Sequence, residues 1–279
     1  MKSVLVASAA FALIACSNSA PSQWTQIWAD EFDGPAGAPV DSSKWINDIG
    51  DGCDRHNCGW GNHEKEYYSN SPSNIFTNGH GQLVIVGRTA PAGLKCYYGD
   101  CRYTSAKITT SGRLVVSPAG RAEARIKLAA GQGLWPAFWL LGSTCPQVGW
   151  PKCGEIDIME NKGSQRTTTS SALHGPGYSG ETPFVHRQNF RSGAITDFHV
   201  YAVEWDSTQV RWFVDGAEHY RLSRADIEKH GASVLGKSFI VILNLAIGGH
   251  FDGDPKSDSI FPATMMVDYV RIFARRSPQ

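Results

Sequence analysis

Glu155, Asp157 and Glu160 fall within the short stretch "GEIDIME", whose other side chains are apolar apart from its glycine. In a regular strand alternate side chains share a face, so Glu155 and Asp157 point one way while Ile156 and Ile158 point the other. By that parity Glu160 joins the isoleucines, and an unpaired carboxylate on a core face is costly. One extra residue, a β-bulge at Ile158 or Met159, returns Glu160 to the side of Glu155 and Asp157. Three carboxylates then line one surface. An acid-bearing strand is most often just a solvated face, but the preceding segment changes the weighing. In "GLWPAFWLL", Trp135, Ala137 and Trp139 share a face when the chain is extended, so two flat indoles flank a small residue, a layout suited to sugar rings. Carboxylates beside indoles fit glycoside chemistry, in which one carboxylate attacks the anomeric carbon and another protonates the leaving oxygen.

Such a surface needs strands to carry it. Segments such as "GQLVIVGR", "YAVEW", "QVRWFVDG" and "VDYVRIFA" alternate apolar and polar residues between Gly, Asp, Asn and Pro clusters. In "FHVYAVEWDSTQVRWFVDG", Tyr201, Val203 and Trp205 share a face, a polar turn follows, and Val210, Trp212 and Val214 share the next, which is a hairpin pattern. "FIVILNLAIGG" reads as a central strand buried on both sides and stopped by Gly248-Gly249. Long helical periodicity is nearly absent, and one short helix is expected near "SRADIEKH". The fold class is therefore all-β: two packed antiparallel sheets in a sandwich or jelly roll, with the carboxylates on a concave sheet. Without repeats, low-complexity tracts or a change in composition, residues 24–279 form one domain.

The N-terminus has the layout of an export signal: Lys2, an apolar run from Val4 to Ile14, then small and polar residues, too short for a membrane span of about 20 residues. Leu13-Ile14-Ala15-Cys16 looks like a bacterial lipobox. The expectation is a lipoprotein signal peptide over 1–15, a lipidated Cys16, a linker over 16–23, and membrane attachment through that lipid alone; an ordinary signal cut slightly later is the alternative. Seven cysteines are odd for an exported chain, but setting Cys16 aside leaves six in three close pairs: Cys53 with Cys58, Cys96 with Cys101, and Cys145 with Cys153. Local disulfides are expected in an oxidising compartment, though sequence does not prove connectivity. A zinc site at the first pair, with His56 and His63 nearby, lacks a second ligand pair to complete it. The 26 basic and 26 acidic residues balance, with no run of like charge, which argues against a nucleic-acid partner and for a neutral ligand. A monomer is expected.

Over nearly the whole chain after the export signal the sequence resembles glycoside hydrolase family 16, and within it the bacterial laminarinases. The resemblance rests on "WADEFDGPAG", "DSSKW", "GWGNHEKEYY", "YTSAKITTSGR", "GRAEARIKLAAGQGLWPAFWLLG", "GEIDIMEN", "HGPGYSG", "FHVYAVEW", "LNLAIGG" and "VDYVRIFA". It implies a jelly roll with a cleft across its concave sheet and a retaining endo-1,3-β-glucanase activity on β-glucan. Mixed-linkage glucan, a galactan, or glucan binding without catalysis are the alternatives, and the retained acids argue against the last. The family pattern makes Glu155 the nucleophile, Glu160 the acid/base and Asp157 their hydrogen-bonding assistant. It places Trp135, Trp139 and Asn62 in the sugar cleft and His174 beside the carboxylates. Catalysis needs no cofactor; a structural calcium on the convex side, with Glu31 and Asp268 as ligands, is the one ion implied. Three departures bear on subsites: Lys107 where arginine is usual, Glu66 where glutamine is usual, and His250-Phe251-Asp252 where many relatives have asparagine, tryptophan and proline.

Overall fold

The computed structural model describes residues 23–190 and 193–276; the expected signal peptide, Cys16 and nearly all of the linker lie outside the described residues. Two sheets face each other. The larger runs Ala217–Ser223, Gln209–Val214, His199–Trp205, Gly120–Lys127, Ala263–Arg275, Leu83–Thr89, Tyr103–Ser105 and Glu66–Tyr68, with Trp24–Asp30 beside Ala263–Arg275 and Ile75–Thr77 beside Leu83–Thr89. The smaller runs Phe184–Asn189, Thr168–His174, Glu155–Glu160, Leu134–Gly142, Phe239–Ile247, Lys107–Thr109 and Ile46–Asp48. This is the all-β sandwich expected, its smaller sheet carrying the three carboxylates. One detail differs: Glu66–Tyr68 pairs in parallel with Tyr103–Ser105. A parallel neighbour needs a long connection, here filled by Ile75–Thr77, Leu83–Thr89 and a two-stranded hairpin, which local periodicity does not reveal.

Local patterns explain most elements. The expected hairpin forms, with Tyr201 opposite Val214, Val203 opposite Trp212 and Trp205 opposite Val210, and all six are buried. Phe239–Ile247 runs between Leu134–Gly142 and Lys107–Thr109, buried at every position but Ile240, because a strand covered on both faces needs apolar residues of both parities. The short helix spans Arg224–Glu228, and the Ser223 side chain caps it by accepting from the Asp226 N–H. Between the sheets, Phe138, Leu140, Ile156 and Met159 pack against the layer that contains Tyr201, Val203 and Trp212. Three disulfides form, Cys53–Cys58, Cys96–Cys101 and Cys145–Cys153, in the pairs nearest in sequence. The last closes the loop that leads from the tryptophan strand Leu134–Gly142 into Glu155.

Candidate active site

The bulge exists and lies at Ile158. Against the tryptophan strand, Asp157 is opposite Trp139 and Met159 is opposite Phe138, so Ile158 has no partner there. Both Ile158 and Met159 turn to the core, at 2% and 0% exposure, while Glu155 and Glu160 stay half-buried on the outer face. Two groups hold the irregular backbone. Ser171 Oγ donates to the Ile158 carbonyl at 2.8 Å, and Trp212 Nε1, from the opposite sheet, donates to the Asp157 carbonyl at 2.9 Å. A bulge leaves ladder groups unpaired, and buried carbonyls without partners are expensive, so these two donors make the kink tenable.

Each acid has its own surroundings. Trp135 Nε1 donates to Glu160 Oε1 at 3.0 Å, and Trp150 Nε1 donates to Glu155 Oε2 at 3.1 Å. His174 Nε2 lies 3.1 Å from Asp157 Oδ2 and 3.7 Å from Glu155 Oε1. The closer approach lacks hydrogen-bond geometry, and Asp157 Oδ2 is left without a donor. Burial pushes the Glu160 carboxyl up to about 8, with the Asp157 charge adding to it and His174 opposing. Burial and then Asp157 push Glu155 up to about 8 too, opposed by His174 and the Trp150 N–H, and burial alone raises Asp157 to about 8. Three carboxyls in one dry site cannot all ionise together, so protons are retained there at neutral pH.

The rest of the cleft floor is aromatic. Trp135 and Trp139 are both half-buried on the outer face, separated by Ala137, which is opposite Glu160. Phe251 stacks on Trp135, with ring centroids 4.4 Å apart and planes at 21°. Its loop is tied down by Asp252, which accepts from the Gly133 and Ser164 N–H groups and from Ser164 Oγ. Trp139 Nε1 donates to Asn244 Oδ1 at 2.8 Å. Asn62 Nδ2 donates to Glu64 Oε1 at 3.1 Å, and the Asn62 carbonyl accepts from the His250 N–H. Lys107 carries its ammonium 4.1 Å from the Trp60 ring centroid, 5.3 Å from that of Trp139, and 3.5 Å from Asp48 Oδ2.

The fold and this constellation agree with the comparisons. The family model for glycosyl hydrolases family 16 matches residues 62–271. The chain belongs to that family. Among curated relatives, a beta-glucanase of Rhodothermus marinus is 36% identical over 92% of this chain and 87% of its own length. The X-ray structure of an endo-beta-1,3-glucanase from Pyrococcus furiosus superposes with a TM-score of 0.85 at 40% identity, covering 91% of this chain and 96% of that one. The laminarinase catalytic domain from Thermotoga maritima gives 0.84 at 38%, covering 91% and 99%. As a family 16 member the protein is a glycoside hydrolase.

Glu155, Asp157, Glu160, Trp135 and His174 thus share one site, with Trp139 directly opposite Asp157; Asn62 connects to Trp139 through hydrogen bonds by way of Glu64, Tyr68 and Asn244. Sequence reasoning missed Trp150, whose exposed ring reaches Glu155 from the disulfide-closed loop; its place in "GWPKCGEIDIME", between a cysteine pair, was the available signal. It also missed Trp212, which alternation alone assigns to the core. Glu31 and Asp268 are elsewhere. Glu31 forks onto Arg271 with two contacts of 2.8 Å, and Asp268 accepts from Arg125 at 2.8 Å. With each carboxylate engaged by a guanidinium, these side chains do not fit a calcium shell as they stand.

Proposed function

We propose that this family 16 hydrolase is a retaining endo-1,3-β-glucanase with Glu155 as nucleophile and Glu160 as acid/base. The observation that carries the reading is the bulge at Ile158, which puts Glu160 on the face of Glu155 and Asp157 beside two indoles. The relatives named above act on β-glucan by their own descriptions, and this chain keeps their length and fold. In the first step Glu155 attacks the anomeric carbon while Glu160 gives its proton to the departing glycosidic oxygen. In the second, Glu160 takes a proton from water, which displaces Glu155 and regenerates both groups. Burial suits Glu160 to the first role by keeping it protonated at neutral pH. The Trp135 N–H occupies one Glu160 oxygen and leaves the other for the substrate. The Trp150 N–H favours charge on Glu155. Burial does most to hold the proton on Glu160, and Asp157, beside His174, adds to it whenever Asp157 is ionised.

Release of reducing ends from laminarin, lichenan, agarose and carrageenan tests the substrate: laminarin should be cleaved fastest, and lichenan cleavage without laminarin cleavage would overturn the proposal. Azide tests the roles. With an activated β-glucoside, Glu155→Ala should give the α-glycosyl azide by direct attack, and Glu160→Ala the β-anomer by interception of the glycosyl-enzyme. Swapped anomers mean swapped roles.

The export reading is proposed on the same footing: a lipid on Cys16 anchors a monomeric catalytic domain outside the cytoplasm. Cys16→Ala should release the protein from the membrane fraction, and unchanged fractionation without lipid label counts against the anchor. Calcium stays outside the proposal because of the two arginines. A melting temperature lowered by chelator and restored by calcium would bring it back.

A further inference from the structure

Beneath the cleft floor lie two glutamates that the hydrolytic steps do not use. Glu64 is 5% exposed and Glu66 is fully buried, and their carboxyls are in hydrogen-bonding contact with each other. Glu66 Oε2 accepts from the Ile247 N–H at 2.6 Å, but Glu66 Oε1 meets no N–H or O–H donor. Both Glu64 oxygens have donors: Asn62 Nδ2 reaches Oε1 at 3.1 Å, and the Tyr68 hydroxyl reaches Oε2 at 3.2 Å. Two carboxyl groups can meet in this way only when one of them carries a proton. Glu64, which accepts two donors, is the better anion; Glu66 is the acid.

The contacts continue in one direction. Trp139 donates to Asn244, Asn244 Nδ2 donates to the Tyr68 hydroxyl at 3.1 Å, and Tyr68 donates to Glu64. Two cleft residues, Asn62 and Trp139, therefore lead to the same carboxylate. We infer that Glu66 is a positioning residue whose proton, shared with Glu64, fixes Asn62 and Trp139 in the glucan cleft and so sets affinity for the glucan. The inference rests on the glucanase reading above for its ligand, and on the hydrogen-bond geometry for everything else.

The groups around the pair fix the direction of the pH effect. Lys107 faces Glu64 from its strand, with Asp48 behind it on Ile46–Asp48. Tyr68 lies on the strand of Glu66 itself. Tyr103, opposite Glu66 in register, turns its hydroxyl to Arg102 and Asp258. Lys65 points at the rings of Tyr97 and Tyr98. Phe239–Ile247 supplies Asn244 and a backbone N–H but no titratable side chain. Burial, and next the charge of Glu64, hold Glu66 protonated well beyond the usual carboxylate range. Loss of that proton at alkaline pH puts two adjacent negative charges out of water with one lysine to share, and the network has to open.

Glu66→Gln supplies the hydrogen that Glu64 needs, keeps an oxygen for the Ile247 N–H, and does not titrate. The test compares KM and kcat for laminarin against pH in the wild type and Glu66→Gln. In the wild type KM should rise on the order of tenfold on the alkaline side, the scale of one buried hydrogen bond to a charged group. In Glu66→Gln it should stay flat, while kcat keeps the profile set by Glu155 and Glu160. An equal alkaline rise in both proteins overturns the inference. Infrared spectra in a Glu155→Gln, Asp157→Asn, Glu160→Gln background, which removes the three cleft carboxyls, provide a reading independent of activity: a protonated-carboxyl stretch should persist through neutral pH, fade at alkaline pH, and vanish when Glu66→Gln is added. A band unchanged by that substitution also overturns the inference. Failure of the glucanase reading looks different, as no glucan cleavage at any pH.

Discussion

Glu160 is held to two demands that conflict, since an acid that keeps its proton near neutral pH must live where its anion is poorly solvated. Its folded value of about 8 stands above the ordinary 4.5, so between those two values the folded protein holds a proton that the unfolded chain has released. Stability from this group is complete below the unfolded value and is lost as pH rises through the folded one. Glu160→Gln removes the ionisation and keeps the shape. At pH below the ordinary carboxylate value, calorimetry should find the variant and wild type alike; at alkaline pH the variant should melt higher, by about 2–4 °C for each kcal/mol recovered in a domain of this size. Activity on laminarin should fall by about 10² to 10⁴, the usual worth of a positioned general acid. A variant that loses activity without gaining alkaline stability would mean that burial does not set the proton on Glu160.

At the scale of the strand, the bulge was legible because parity forced it: three acids in that spacing cannot share a face of a regular strand, and the core face would not take the third. Its donors were not legible. Trp212 reaches the Asp157 carbonyl from the other sheet, and no local pattern in "QVRWFVDG" separates a core indole from one that supports a bulge. Trp212→Phe keeps a ring in the core and removes only the N–H. The Asp157 carbonyl then lies buried without that donor, at a cost of about 1–3 kcal/mol. The melting temperature should drop by several degrees. Because Asp157 and Glu160 hang from that kink, kcat should drop more than tenfold with little change in KM, since small misplacement of reacting groups is expensive in rate. A lower melting temperature with unchanged kcat would show that Ser171 alone keeps the bulge in place.

At the scale of the molecule, alternation announced strands and the hairpin but could not give their order, because neighbours such as Trp24–Asp30 and Ala263–Arg275 come from opposite ends of the described chain. The same gap hid how the two sheets meet at one side. There His186, on the edge strand Phe184–Asn189, stacks 5.0 Å from Tyr220, which in turn stacks 5.0 Å from the bulge-holding Trp212. His219 lies 5.6 Å from His186 with both ring nitrogens buried and unpartnered. Burial, and then His186, push His219 down to about 4. Between that value and the ordinary 6.5 the unfolded chain binds the extra proton, so stability rises with pH across this window and falls as the solution is acidified. His219→Phe keeps an aromatic ring at this junction and removes the titration. Its melting temperature should exceed the wild type's increasingly as pH falls below the ordinary 6.5, most at about 4, by a few degrees, corresponding to about 1–2 kcal/mol after allowance for the ring's partial exposure. Above neutral pH the gap should narrow to the smaller gain from no longer burying two unpaired nitrogens. A gap independent of pH across the acid range would mean that His219 is protonated as easily in the folded protein as in the unfolded chain, and that the junction of the sheets is open to water.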